Sequence, residues 1–325
     1  MRELPVVDLA RYEAQGAARA AFLDDLRRAA REAGFFYLVG HGVQGNDALL
    51  ALARRFFDQP DAEKDAAAMI RSPQFRGYTR AGAELTRGAP DWREQFDVNS
   101  ERAAVWRAGD PAWRRLIGPN LWPQNPAGLR EAALGWQAEM TAAALRLLRA
   151  FAEALGQNPC AFDGLVGDEP NQHVKLIRYP GLGRGQGVGP HKDSGLLTFV
   201  LQDGVGGLEV GTADGGWIAA TPVEGAFVVN IGEVLELASG GYLPATVHRV
   251  VGPPPGQDRL SAAFFLGPRH EAEAPRLVLP PELAREANGV SNDPDNPLLR
   301  HAGENYLKGR LRSHPDVAAR HYHDL

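Results

Sequence analysis

His191, Lys192 and Asp193 set an imidazole and a carboxylate two residues apart, and His248 follows fifty-five residues after Asp193 within Ala245-Thr246-Val247-His248-Arg249-Val250. On an extended chain the side chains alternate, so His191 and Asp193 point to one side. A distant His248 on a neighbouring strand then completes one face of a metal site and leaves other positions open. Two histidines with one carboxylate and open positions are the donor set of non-haem iron(II) oxygenases. Eleven residues after His248 comes Arg259-Leu260-Ser261. A guanidinium and a hydroxyl two apart on a strand are suited to gripping a carboxylate through charge-assisted hydrogen bonds. They can hold the far carboxylate of a dicarboxylic keto acid whose other end chelates the metal. H-x-D alone is common by chance, and its weight here comes from its β-rich surroundings. The other histidines, His41, His173, His270, His301, His314, His321 and His323, show no comparable carboxylate pairing in a β context. His321 and His323 read as a solvated end.

The elements that must position these groups begin at Val174. VKLIRYP, LLTFVL, GLEV, GWIAATP, AFVVNI, ATVHRVV and LSAAFFL are short β-rich runs split by turn residues, and Asp214-Gly215 is a strong hairpin signal. Such spacing predicts an antiparallel sandwich or jelly roll with a mouth for a ligand. Before it lie a strand at 5–9, a helix in which Phe22, Leu26 and Ala30 fall four apart before Gly34, and a buried strand at 35–39. Asn46 is placed to cap a second helix carrying Leu49, Leu52, Ala53 and Phe56, with Pro60 marking its end. The longest helix carries Leu129, Ala133, Trp136, Met140, Ala144, Leu147, Phe151 and Leu155 on one face, a stripe expected to be core packing. With no internal repeat and no low-complexity linker, the expected organisation is one catalytic unit over 1–325. Its parts are an N-terminal mixed α/β supporting region (1–120), a long backing helix (121–156), a jelly-roll metal-binding core (174–270) and a C-terminal helical or irregular segment (271–325) that can form a lid.

Composition narrows the classes further. Apolar residues make up 44% and charged residues 23% of the 325, a soluble folded chain. A net charge of −5 supplies no general basic field, so no nucleic-acid partner is expected. Cys160 is the single cysteine, which excludes an intrachain disulfide and fits a reducing cytoplasm. No stretch approaches the length of a membrane-spanning helix and no signal pattern opens the chain, so neither export nor a membrane partner is expected. The run Gly181-x-Gly183-x-Gly185-x-Gly187-x-Gly189 misses the dinucleotide spacing and leads into a strand; it is expected to be a flexible loop beside the metal.

The ordered motifs PVVDLA, GFFYLVGHGV, LIRYPG, GPHKDSGLLTFV, GGLEV, FVVNIGEVLELASGGYLPATVHRV and RLSAAFF together resemble the isopenicillin N synthase-like branch of the iron(II)/2-oxoglutarate dioxygenases. The resemblance covers most of the chain. It implies a mainly β fold with flanking helices, a double-stranded β-helix (jelly-roll) core, and iron(II) held by His191, Asp193 and His248. It also implies that Arg259 and Ser261 bind the C5 carboxylate of 2-oxoglutarate and that Tyr179 adds a hydrogen bond to this cosubstrate. The implied activity uses O2 to oxidise a small molecule, by default through hydroxylation, with release of succinate and CO2. Ile177 stands where plant members often carry Asn, and Leu176-Ile177-Arg178-Tyr179-Pro180 looks instead like isopenicillin N synthase itself, which needs no 2-oxoglutarate. A 2-oxoglutarate-independent iron(II) oxidase, an ethylene-forming enzyme and, more distantly, a non-catalytic jelly-roll binding module therefore stay open. For the prime substrate, Phe265 should share the face of Arg259, Ser261 and Ala263. Arg76, Tyr78, Arg93 and Phe96 lie in an irregular stretch that by resemblance closes over the mouth, and Tyr306 belongs to the possible lid.

Overall fold

Side-chain alternation along the extended runs gives two-faced strands, and the computed structural model describes residues 3–183 and 185–325. Its strands are β1 (Val6–Asp8), β2 (Phe35–Val39), β3 (Gly77–Thr79), β4 (Leu85–Thr86), β5 (Ala89–Pro90), β6 (Glu94–Asn99), β7 (Asn171–Tyr179), β8 (Gln186–His191), β9 (Leu197–Gln202), β10 (Leu208–Gly211), β11 (Trp217–Ala219), β12 (Phe227–Ile231), β13 (His248–Val251) and β14 (Arg259–Gly267). Its helices are α1 (Gly16–Ala33), α2 (Asn46–Phe57), α3 (Asp61–Asp65), α4 (Leu129–Ala154), α5 (Asp163–Val166), α6 (Glu233–Ala238), α7 (Pro281–Glu286), α8 (Ala302–Ser313) and α9 (Pro315–His321).

Eight strands form a major sheet in the order β1-β2-β12-β9-β14-β7-β6-β3, four form a minor sheet, β11-β10-β13-β8, and β4 with β5 make a separate hairpin. All paired strands run antiparallel except β1 with β2. The alternation decides which side of the major sheet each residue serves. Phe96, Val98, Val174, Leu176, Phe199, Val229, Leu260, Ala262, Phe264 and Leu266 join the core with α1, α2 and α4. Phe35, Tyr37, Ile177, Tyr179, Val228 and Ala263 face the other way and meet Val188, Leu208, Val210 and Val250 of the minor sheet. The two sheets thus sandwich a second, smaller core, as a jelly roll requires.

α4 supplies the backing. Every member of its apolar stripe is buried in the larger core, and at 26 residues it is about 39 Å long. Burial of each large apolar side chain in that stripe contributes roughly 1.5–3 kcal/mol. α1 stops at Gly34, whose φ of 65° is left-handed; a Cβ there would lie 2.5 Å from the Pro244 carbonyl oxygen, so the stop also lets the chain pass close by. The second helix begins one residue away from the expected cap: Gly45 is its N-cap, and Asn46 Oδ1 instead accepts a hydrogen bond from Trp136 Nε1 at 2.8 Å. That bond ties α2 to α4.

Two expectations are corrected by the strands. The glycine-rich run is not a single loop, because Gly187 and Gly189 lie in β8; a Cβ at Gly187 would meet the Tyr179 ring at 2.8 Å. Arg184 within that run lies outside the described residues. The stretch holding residues 76–96 is not irregular throughout, since β3 and β6 extend the major sheet beside β7. The expected hairpin is present: Gly211 pairs with Trp217, with Gly215 at a φ of 82° in the turn. Among the described residues no helix is long and apolar enough to cross a membrane.

Candidate metal centre

In the minor sheet β13 and β8 pair with His248 opposite His191, and the two ring centroids are 4.2 Å apart. β8 ends at His191, so Asp193 arrives from the bend after the strand and not from the strand itself. Its carbonyl accepts from the Glu233 amide at the start of α6 (2.8 Å). Its carboxylate Oδ2 accepts from Thr198 Oγ1 (2.6 Å) and Asn230 Nδ2 (2.9 Å), two register partners on the inner face of the major sheet. One donor atom from each of His191, Asp193 and His248 lies within 4.8 Å of the others. Nε2 of His191 is 3.6 Å from Asp193 Oδ1, and Nε2 of His248 is 3.7 Å from Oδ2. Both Nδ1 atoms instead face backbone carbonyls, of Gly189 (2.9 Å) and Thr246 (3.2 Å). Protons on Nδ1 satisfy those carbonyls and leave both Nε2 lone pairs toward the gap.

The electrostatics suit a cation. Burial pushes Asp193 upward, but His248, His191 and the Thr198 hydroxyl outweigh it and hold the carboxyl well below its ordinary range. His248 is held down to about 4 by burial and by His191, so it is neutral and able to donate a lone pair at neutral pH. An ionised carboxylate and a neutral imidazole are the forms a metal binds.

In the β14–β7 register Arg259 opposes Tyr179, and Ser261 opposes Ile177. Arg259 is 1% exposed, and its guanidinium lies over the Tyr179 ring at 4.9 Å. It donates to the Val205 carbonyl (3.1 Å), Ser261 Oγ (3.2 Å) and Gln202 Oε1 (3.0 Å), all uncharged. A guanidinium carries five donors, so among the described residues two N–H groups have no partner and no carboxylate meets the charge. That is the condition an incoming carboxylate meets.

A cavity of about 800 Å³ opens onto the triad and is lined by His191, Asp193, Phe265, His173, Lys175, Arg93 and Arg76, with Tyr306 and Arg310 from α8. Phe265 stacks on His173, centroids 5.2 Å apart. Arg93 pairs with Glu84 (2.6 Å). Tyr78 and Phe96 are not brought to it: both are in the larger core against Phe56, because their strands turn them to the helical face. Tyr78 donates to Glu94 Oε2 there. The expectation that only the triad pairs histidine with carboxylate in a β context is also corrected. His173 on β7 bonds Asp97 on β6 at 2.7 Å, inside a buried cluster with Lys175, Glu84 and Arg310. His321 bonds the Ile70 carbonyl (2.9 Å) and is not a free end. Thr198, Asn230 and Gln202 were not found from the sequence; a lone polar residue inside Phe227-Val228-Val229-Asn230-Ile231 is the signal that marks Asn230.

Comparison with known proteins decides the lineage. Residues 170–268 match the family described as "2OG-Fe(II) oxygenase superfamily", and residues 4–125 match "non-haem dioxygenase in morphine synthesis N-terminal". The chain is 34% identical to the 2-oxoglutarate-dependent dioxygenase frbJ of Dothideomycetidae sp., over 97% of this chain and 90% of that protein.

It belongs to the 2OG-Fe(II) oxygenase superfamily.

This oxygenase is also 34% identical to a homoarginine-6-hydroxylase of Arabidopsis thaliana, with 88% of this chain and 89% of the relative covered. A putative 2OG-Fe(II) oxygenase family protein of Caulobacter crescentus superposes with a TM-score of 0.76 at 27% identity, covering 96% and 99% of the two chains. JOX2, solved with 2OG, Fe and JA, gives 0.74 at 26% identity, covering 98% and 89%. The oxygenase is thus an iron(II)- and 2-oxoglutarate-dependent enzyme, and the jelly-roll reading of the sequence holds.

Proposed function

We propose that His191, Asp193 and His248 hold the iron, and that Arg259 and Ser261, with Tyr179 beside them, hold the C5 carboxylate of 2-oxoglutarate while a small molecule in the adjoining cavity is hydroxylated. The observation that carries this reading is the pair of Nε2 atoms and the Asp193 carboxylate converging within 4.8 Å, with each Nδ1 tied back to a carbonyl. With iron(II) and 2-oxoglutarate held there, O2 would be the oxidant and 2-oxoglutarate the co-reductant, leaving as succinate and CO2. The chain's part is placement. Thr198 and Asn230 fix the carboxylate rotamer of Asp193, and Arg259 meets the cosubstrate with a buried charge that needs little reorganisation. Phe265 and Arg93 then shape the floor of the substrate cavity.

Relatives differ widely in what their names say they act on, from homoarginine to validamycin A, so the family leaves the prime substrate open. A cytoplasmic site of action is supported by the lone, exposed Cys160 thiol. The test is an anaerobic titration of the apo protein with iron(II) and then 2-oxoglutarate, followed through the visible charge-transfer band of the chelate. A saturable band that is lost in His191→Ala is the expected result. Iron binding with no band would move the assignment to a 2-oxoglutarate-independent oxidase.

A further inference from the structure

Five lysines and arginines are buried among the described residues: Lys64, Arg76, Arg93, Lys175 and Arg259. Three have carboxylate partners, Lys64 with Glu94 (2.8 Å), Arg93 with Glu84 (2.6 Å) and Lys175 with Glu84 (2.8 Å). Arg259 and Arg76 have none within 4.0 Å among the described residues. Arg259 is accounted for by the cosubstrate. Arg76 is not.

Arg76 is 4% exposed and lines the wall of the cavity that opens on the triad. Its Nη1 donates to the Gln74 carbonyl and its Nη2 to the Leu116 carbonyl (2.9 Å), while Nε has no partner. Phe75 before it holds a left-handed φ of 58° and is fully buried against Tyr322, so the backbone is committed to this direction. Around it, Arg93, Lys175 and Arg310 share the buried cluster with Glu84, Asp91 and Asp97. Those three carboxylates offset those three cations, and the charge of Arg76 is left over. Burial and Arg310 hold Arg76 down to about 9, a cation short of a counterion. Burying a charge without one is costly unless a partner arrives.

Resting on the iron and 2-oxoglutarate assignment above, we propose that the prime substrate is a small organic acid whose carboxylate pairs with Arg76. Among the buried groups the surplus is one positive charge, which a single carboxylate would meet. Position adds the site of oxidation. Thr198, Phe265, His173 and Asn99 lie in one row across β9, β14, β7 and β6; Thr198 bonds the Asp193 carboxylate at one end, and Asn99 lines the cavity with Arg76 at the other. Three strand spacings make roughly 14 Å of sheet. The substrate's acid end therefore sits away from the triad, and the carbon oxidised is remote from the carboxylate.

The test uses matched acid and amide pairs, hexanoate with hexanamide, 4-phenylbutyrate with 4-phenylbutyramide, and N-acetyl-leucine with its amide. Each is titrated calorimetrically into the anaerobic protein loaded with iron(II) and saturating 2-oxoglutarate. In at least one pair the acid is expected to bind tenfold or more tighter than the amide, with the 2-oxoglutarate band retained. That preference should vanish in Arg76→Met and persist in part in Arg76→Lys. No acid preference in any pair, or a preference intact in Arg76→Met, overturns the proposal, as does acid binding that erases the band by displacing the cosubstrate. Should Arg76→Met fail to fold, the wild-type pairs and Arg76→Lys decide. Absence of the band in the wild-type protein is a failure of the iron and 2-oxoglutarate assignment; a normal band without acid preference is a failure of this inference alone.

Discussion

Each residue of the triad region fails in its own way, which makes the assignments separable. Asp193→Ala removes the only carboxylate donor, and neither iron binding nor turnover is expected. Arg259→Ala leaves the triad untouched, so iron should still bind while 2-oxoglutarate affinity falls roughly 10- to 100-fold, the worth of a charged hydrogen-bonding partner. Titration of the chelate band reads both, and unaltered cosubstrate affinity in the second variant removes Arg259 from its role. Thr198→Val tests the support under Asp193. Losing that 2.6 Å bond to Oδ2 should lower metal affinity about 10- to 100-fold with little change in fold, measured by competition with a chromogenic chelator. Histidine and aspartate two apart were legible in the sequence because metal chemistry needs those types at that spacing. Thr198 was not, because a threonine in a β run is ordinary until its partner is known.

At the scale of elements, the sheet order and the start of α6 position the site. Gly232 is the hinge point: its amide bonds the Leu196 carbonyl, the next amide bonds the Asp193 carbonyl, and a Cβ on it would lie 2.2 Å from the Gly195 carbonyl oxygen. Gly232→Ala must push the bend at 193–196 away from α6. We expect weakened metal binding and a lower melting temperature together; a variant with wild-type iron affinity would show that the bend is not held from this side. Strands rich in Val, Ile, Leu and Phe announced themselves in the jelly-roll half, and the helical stripes did so through their spacing. β6 did not. From Gln95 to Asn99 the residues alternate polar and apolar, but Glu94 breaks the pattern and the polar face is buried against other charged groups, so β6 looks like solvent-exposed chain. The same burial explains why Tyr78 and Phe96, expected at the mouth, serve the core: on a strand, Arg76 and Tyr78 share a parity only where the backbone stays extended, and Phe75 and Gly77 both leave it with positive φ.

Taken as a whole, the molecule buries titratable groups both on its major sheet and behind it, His173 on β7 and His270 beyond β14 against Trp113. His173 and His270 are both held down to about 3, chiefly by burial. In the unfolded chain each gains a proton near pH 6.5. Their neutral forms therefore stabilise the fold fully above that pH, and the stability is lost as pH falls toward 3, by up to about 1.4 kcal/mol per pH unit for each group. Denaturant unfolding of the apo protein at pH 7.5 and pH 5 should show the loss, and His270→Phe should show a smaller one; an equal drop in both proteins would mean that His270 already titrates in the native state. The placement of the triad links these layers mechanically. His191 and His248 ride on the minor sheet, whereas Asp193 is moored to the major sheet by Thr198 and Asn230. A cation caught by all three would be a rivet through the sandwich: loading it is expected to damp the breathing of the two layers, so that amide exchange in β8 and β13 slows in step with occupancy.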